Sequence, residues 1–291
     1  MSGTSLDGVD GVLADLRADG SCTTLASSYV GFPDALRADL MALQAPGDNE
    51  IEREARAANA IAQYYAQCVQ QVLEDAKVEA SDVRALGAHG QTIRHRPELG
   101  FTRQTNNPAL LAELSGIDVV ADFRTRDVAA GGQGAPLVPA FHQALFGKAG
   151  STRVLVNIGG IGNLSVLGPE GQTSGYDTGP GNVLMDGWIA RHQSKAYDAD
   201  GAWAATGNVR ADVLAALLRE PYFAMPAPKS TGRDLFHMAW LDAMLAPFAD
   251  ASPADIQATL TALTARSIAD AILEHARVAQ AVYLCGGGAY N

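Results

Sequence analysis

The sequence predicts an α/β protein folded as two lobes, and three observations carry that prediction. The chain has 291 residues, beyond the size, from about 250 residues, at which a single hydrophobic core usually stops growing. Its strand candidates are short, continuously apolar runs, as expected of strands covered on both faces by helices. Its 30 glycines cluster in discrete turns, and in α/β proteins such turns line the ligand cleft.

The strand candidates are 9–16, 25–30, 85–88, 119–121, 154–158, 163–166 and 282–284. Between them, Ile51, Ala55, Ala58, Ile61, Tyr65, Val69 and Val72 recur at helical spacing and predict a long helix over 51–76 with one buried face. A second long helix is predicted from Ser252: its hydroxyl can cap, Pro253 suits the first turn, and Asp255 complements the helix dipole. Its buried stripe runs through Ile256, Leu260, Leu263, Ile268 and Ile272. Shorter helices are expected at 208–219 and 234–245. The Gly-, Ala- and Pro-rich segment 127–139 reads as the connection between lobes 1–126 and 127–291.

Composition excludes several functions. With 47% hydrophobic and 18% charged residues the chain can bury a core and is not disordered. A net charge of −11 opposes a nucleic-acid partner, although a nucleotide held by backbone N–H groups and metal is compatible with it. Cys22, Cys68 and Cys285 are odd in number and lack CxxC spacing, which points to a reducing cytoplasm rather than a disulfide framework or zinc site. No apolar run approaches the roughly 18 residues that suggest a membrane span, and no secretory leader is evident.

Several motifs carry chemistry. Gly3-Thr4-Ser5-Leu6-Asp7-Gly8-Val9-Asp10 sets hydroxyls and carboxylates between glycines, the equipment of a phosphate-binding turn with a Mg²⁺ shell in which Asp7 is the candidate metal partner. A polar hairpin turn is the plainer alternative. Gly159 and Gly160, inside Asn157-Ile158-Gly159-Gly160-Ile161-Gly162-Asn163, form either a second phosphate turn or a hairpin. Gly286, Gly287 and Gly288 follow an apolar strand and could admit a nucleotide's base or ribose.

In Asp177-Thr178-Gly179-Pro180-Gly181-Asn182 a rigid turn precedes an apparent helix. That leaves Asp177 exposed at a corner, as a proton acceptor or as a cap or turn-stabilising residue. Asp186, further on, is a carboxylate of unassigned purpose. His89 and Gln91 follow a short strand and could bind a polar ligand's hydroxyls, or be a core histidine with polar neighbours. Asp122 and Arg124 stand at another strand end, where Arg124 could grip a carboxylate through two parallel bonds or join a local ion pair. Lys229-Ser230-Thr231-Gly232-Arg233 lacks P-loop spacing and reads as a surface loop. The remaining histidines show no metal-ligand spacing, so protein ligands alone are not expected to hold a metal.

In their order, SGTSLDGVD, GHGQTIRHRP, VVADFRTRDVAAGGQGAPLVPAFH, NIGGIGNLS, YDTGPGNVLMDGW, DGAWAATG, PKSTGRDLF and LCGGGAYN resemble the anhydro-N-acetylmuramic acid kinase family over essentially the whole chain. The resemblance implies a two-lobed actin-like, sugar-kinase ATPase fold with a ligand cleft between the lobes. It also implies an activity that converts 1,6-anhydro-N-acetylmuramic acid, ATP and water into N-acetylmuramic acid 6-phosphate and ADP, in bacterial peptidoglycan recycling. ATP and Mg²⁺ would be the cofactors, and a homodimer the assembly. The turn at 3–10 would bind the ATP phosphates, Gly159 and Gly160 a second phosphate face, and Gly286 to Gly288 the adenosine side, with Asp177 as the base. Beside the family pattern, the chain reads as clipped at both termini. Two other readings stay open: another small-molecule kinase of the superfamily, or an inactive nucleotide-binding fragment.

Overall fold

The computed structural model describes residues 1–3 and 6–290; Thr4 and Ser5 of the first glycine turn lie outside the described residues. Helices and sheets are both present, and the class is mixed α/β. The chain forms two compact units, Met1–Gly134 and Ala135–Asn291.

In the first unit, β1 (Gly8–Leu16) and β2 (Cys22–Gly31) form an antiparallel hairpin. It is followed by α1 (Asp34–Ala42) and by α2 (Glu50–Ala76), which lies across the hairpin. A Cβ on Gly11 would fall 2.6 Å from the Cys68 sulfur, so the bare glycine is what lets α2 approach β1. The buried face of α2 comprises Ala57, Ala58, Ile61, Ala62, Tyr65, Cys68 and Val72.

The predicted stripe is corrected at its start, because Ile51 is 87% exposed. Polar bonds hold that end of the helix instead. Glu50 pairs with Arg94, and Glu54 pairs with Arg103 and accepts a bond from the Thr105 hydroxyl.

Next come β3 (Leu86–Ala88), the hairpin of β4 (Gln91–Arg96) and β5 (Phe101–Thr105), α3 (Pro108–Ser115), β6 (Val119–Ala121), parallel to β3, and α4 (Phe123–Ala129). The β4–β5 hairpin was not among the strand candidates, since its residues are largely polar.

In the second unit, α5 (Pro139–Phe146) precedes β7 (Arg153–Ile158), β8 (Ile161–Leu167) and β9 (Thr173–Pro180). Helices α6 (Val183–Gln193), α7 (Ala211–Leu217), α8 (Met238–Leu245) and α9 (Pro253–His275) follow, and then β10 (Ala281–Cys285). The sheet order is β10-β7-β8-β9, with β10 parallel to β7 and the other pairs antiparallel.

Val154, Leu155 and Val156 are buried in succession, so both faces of this sheet are covered. Val156, Leu164 and Tyr176 pack with Ile268 and Ala271 of α9. Ser165, the next residue along β8, points the other way and meets the His142 ring of α5 at 2.9 Å. The sheet is thus held between α9 and α5. Strand β9 was not predicted, because its glycine, proline and acid read as a turn; pairing with β8 overrides that local preference.

The Ser252 hydroxyl accepts the Asp255 N–H at 3.1 Å, as the cap signal predicts. No helix among the described residues is long and apolar enough to cross a membrane. Ser252→Ala is expected to lower stability by about 1 kcal/mol, whereas Ile51→Ser should stay within about 0.5 kcal/mol of wild type; urea unfolding of the two variants checks both.

Candidate active site

Three glycine corners that are distant in sequence meet in the second unit at residues 157–160. Gly159 and Gly160 turn the chain from β7 into β8. On one side, the Gly181 and Asn182 N–H groups donate to the carbonyls of Gly160 and Gly159 at 2.9 and 2.8 Å. A Cβ on Gly181 would lie 2.1 Å from the Gly159 oxygen, so no other residue fits that corner. On the other side, Gly286 takes a φ of +86°, and its Cβ would lie 2.5 Å from Asn157 Oδ1; a Cβ on Gly288 would meet Ile158 Cγ2 at 2.3 Å. From α9, the Thr264 hydroxyl donates to the carbonyls of Pro180 and Gly181 at 3.1 and 2.7 Å.

The strand register brings the acid to the same place. Cys285 pairs with Asn157, Asn157 with Asn163, and Asn163 with Asp177, one row across all four strands. The matching asparagines on either side of the glycine turn are a mark of this row in the sequence, though only the strand register adds the acid to it.

Asp177 is 6% exposed, which corrects the expectation of an exposed corner, and it lies within β9, ahead of the α6 cap position at Asn182. The 222–231 segment packs over it. The Tyr222 hydroxyl donates to the Asp177 carbonyl at 2.5 Å, the Asp177 N–H donates to the Lys229 carbonyl at 3.1 Å, and the Thr231 N–H donates to the Asp177 carboxylate at 3.1 Å.

That segment also overturns the surface reading of Lys229, which is 8% exposed. Its ammonium turns inward to the carbonyls of Tyr222 and Phe223 at 3.0 and 3.1 Å. Burial lowers its pKa. Burial also raises the Tyr222 phenol, with the Asp177 charge acting in the same direction. In the first turn of α6, burial raises the Asp186 carboxyl to about 6 against the pull of Arg233. Its Oδ1 is shielded and has no hydrogen-bond partner among the described residues.

In the first unit, Arg124 and His89 are brought together: Arg124 Nε donates to His89 Nε2 at 2.8 Å, and Arg124 Nη1 to the Gly134 carbonyl at 2.6 Å. With His89 Nδ1 at 2.6 Å from the Gly90 carbonyl, the ring is neutral, with its proton on Nδ1 and its Nε2 lone pair taken by Arg124. Burial first, and the guanidinium second, lower the His89 pKa to about 4. Both ring nitrogens are therefore engaged, and His89 orients Arg124 in this arrangement.

Gln91 is buried and donates to the Gly3 carbonyl at 3.1 Å, tying the sugar-site candidates to the first glycine turn. Within that turn, Leu6 and Val9 point into the core, so only their backbone can face a ligand, while Asp7 and Asp10 are exposed. A Cβ on Gly8 would lie 2.4 Å from the Val30 carbonyl. Asp122 is exposed, in a left-handed conformation ahead of α4.

A family profile described as anhydro-N-acetylmuramic acid kinase matches residues 1–291. The chain belongs to the anhydro-N-acetylmuramic acid kinase family. Proteins of that name from Cupriavidus pinatubonensis, Burkholderia orbicola and Paraburkholderia xenovorans are 60%, 58% and 58% identical to it. All of this chain is covered in each case, against 79%, 76% and 77% of those family members. Among solved structures, a ROK hexokinase from Thermus thermophilus aligns over 96% of this chain and 82% of its own, at 15% identity and a TM-score of 0.32, too distant to argue from.

The depressed His89 pKa has a thermodynamic consequence. As pH falls from the ordinary value of 6.5 toward 4, the unfolded chain takes up a proton that the folded ring resists, so folded stability declines through that window. His89→Gln should show a smaller stability loss than wild type between pH 7 and pH 4.5. Urea midpoints at the two pH values measure the difference.

Proposed function

We propose that this chain opens the 1,6-anhydro bridge of 1,6-anhydro-N-acetylmuramic acid with water and transfers the γ-phosphoryl of ATP to the released O6, giving N-acetylmuramic acid 6-phosphate and ADP in peptidoglycan recycling. The observation that carries this reading is the row that sets Asp177 beside the meeting point of the glycine corners. A single oriented carboxylate and bare backbone turns are what a phosphoryl transfer governed by positioning requires.

The residues present fit ATP. Among the described residues, a Cβ at Gly159 would have no neighbour closer than 3.6 Å, and one at Gly287 none closer than 3.9 Å. Packing therefore leaves those two positions open, and a phosphate or ribose could approach the backbone there. In this reading Gly159, Gly160 and Gly286 to Gly288 contact the nucleotide, and the turn at 3–10 binds its phosphates. No group of three His, Cys, Asp or Glu side chains among the described residues could hold a metal. Mg²⁺ would arrive with the nucleotide, with Asp7 of the phosphate turn as its candidate carboxylate partner; its contribution would be to neutralise charge on the transferring phosphoryl.

Asp177 takes a proton from water, and the resulting hydroxide adds to the anomeric carbon. The bond from that carbon to O6 breaks, and O6 keeps the electron pair. O6 then attacks the γ-phosphorus, the bond to the bridging oxygen breaks, and ADP departs. Arg124, oriented by His89, takes the lactyl carboxylate of the sugar, with Gln91 and Asp122 as hydroxyl contacts. The free thiols of Cys22, Cys68 and Cys285 suit a reducing cytoplasm, and a homodimer is the assembly in keeping with the family.

Asp177→Asn should bind ATP as wild type does and lose at least about 100-fold in turnover, the lower end for removing a general base; coupled ADP release with parallel nucleotide titration measures both, and near-normal turnover would remove Asp177 from the chemistry. Arg124→Ala should raise the KM for the anhydro sugar more than it lowers kcat. Assays with the anhydro sugar and a plain hexose separate this activity from that of another sugar kinase: product should form from the anhydro sugar alone.

A further inference from the structure

The bonds around Asp177 close into a circuit. The Lys229 ammonium holds the carbonyls of Tyr222 and Phe223 and lies 4.8 Å from the Tyr222 ring centroid. The Tyr222 hydroxyl then holds the Asp177 carbonyl. The Asp177 N–H returns to the carbonyl of Lys229 itself, and two residues on, the Thr231 N–H reaches the Asp177 carboxylate. Backbone and side chain of one acid are thus held by a single ten-residue segment, 222–231, closed on itself by a buried cation.

An ammonium is an expensive choice for a core position, since burial disfavours the charged form and an apolar side chain would fill the space more cheaply. Directional bonding is what it adds. Pro221–Ala224 is one helical turn whose Tyr222 carbonyl takes the Met225 N–H at 3.2 Å; Lys229 adds a second bond to that carbonyl and bonds the Phe223 carbonyl, one of the end groups a single turn leaves over. Glu274 is the other charge that Lys229 senses, and it favours the protonated amine.

We propose that Lys229 and Tyr222 are positioning residues of the phosphoryl-transfer reaction, locking the 222–231 segment so that the Asp177 carboxylate keeps one orientation. This rests on the reading of Asp177 as the base. It also assigns the Lys229-Ser230-Thr231 stretch a purpose different from a phosphate grip, because the ammonium faces the segment's own carbonyls. Misplacement of a reacting group by about 1 Å can lower turnover on the order of 100-fold, so loss of the lock should appear in kcat and leave binding nearly intact.

The test is steady-state kinetics of Lys229→Met, Lys229→Arg, Tyr222→Phe, Asp177→Asn and the double variant Lys229→Met/Asp177→Asn, with circular dichroism and nucleotide titration confirming folding. Lys229→Met should lower kcat about 10- to 100-fold, with the KM values for sugar and ATP within about threefold of wild type. Lys229→Arg should recover part of the loss. Tyr222→Phe, which keeps the packed ring and removes only the hydroxyl, should lower kcat about three- to tenfold and carries the test if Lys229→Met does not fold. In the Asp177→Asn background, Lys229→Met should add less than about twofold, because a lock has nothing left to orient.

Wild-type kcat in Tyr222→Phe or in folded Lys229→Met overturns the proposal, as does a full multiplicative loss in the double variant. Wild-type turnover in Asp177→Asn overturns it from the other side, by removing the base. The two failures are told apart by which single variant stays active.

Discussion

Everything in the second unit's site depends on a steric constraint: the chain at Gly181 passes so close to the Gly159 carbonyl that a side-chain carbon would stand 2.1 Å from it. That approach lets Gly181 and Asn182 bond to the turn between β7 and β8. Those bonds fix the exit of β9, which carries Asp177, against the exit of β7. The turn after β10 reaches the same stretch through Gly286 and Gly288. Backbone polar groups that would otherwise be buried without partners are thereby satisfied by one another and by Thr264. Position, rather than any unusual side chain, is what this corner supplies, in keeping with a reaction in which alignment and charge stabilisation govern the rate.

The glycine corners were legible in the sequence because the need for a missing side chain is local and leaves a direct mark. The same holds for the Ser252 cap, whose bonding is decided within one turn, and for the central stripe of α2 from Ala58 to Val72. Whatever depends on distant partners was not legible. Strand β9 reads as a turn until β8 is there to pair with it, and Asp177 reads as exposed until the 222–231 segment covers it. Lys229 reads as a surface cation because nothing nearby in sequence shows that carbonyls await it. Ile51 fits the apolar period of α2, yet it stands clear of the core where Glu50 and Glu54 tie the helix end to Arg94 and Arg103. The row of Asn157, Asn163 and Asp177 is an intermediate case: the two asparagines flank the glycine pair, but only the register brings the acid alongside.

The first unit shows a candidate residue engaged by its own surroundings. The sequence leaves His89 open between a ligand contact and a core histidine with polar neighbours, and in the structure its two nitrogens meet the Gly90 carbonyl and Arg124. A neutral imidazole accepting from Nε of the guanidinium fixes that planar group's orientation without adding a competing charge. The Gly134 carbonyl adds a second bond, and the arginine is left oriented by its own surroundings before any ligand arrives. Preorganisation of this kind reduces the entropy lost on binding, and it is the electrostatic counterpart of the steric preorganisation around Asp177.

The most direct test of the central claim, that Asp177 activates the attacking water, is a crystal structure of this chain with the anhydro sugar and a non-hydrolysable ATP analogue. The account predicts an ordered water within about 3.2 Å of an Asp177 carboxylate oxygen, on the side of the anomeric carbon away from the bridge oxygen. A carboxylate still sealed beneath the 222–231 segment, with no water between it and the sugar, would contradict it.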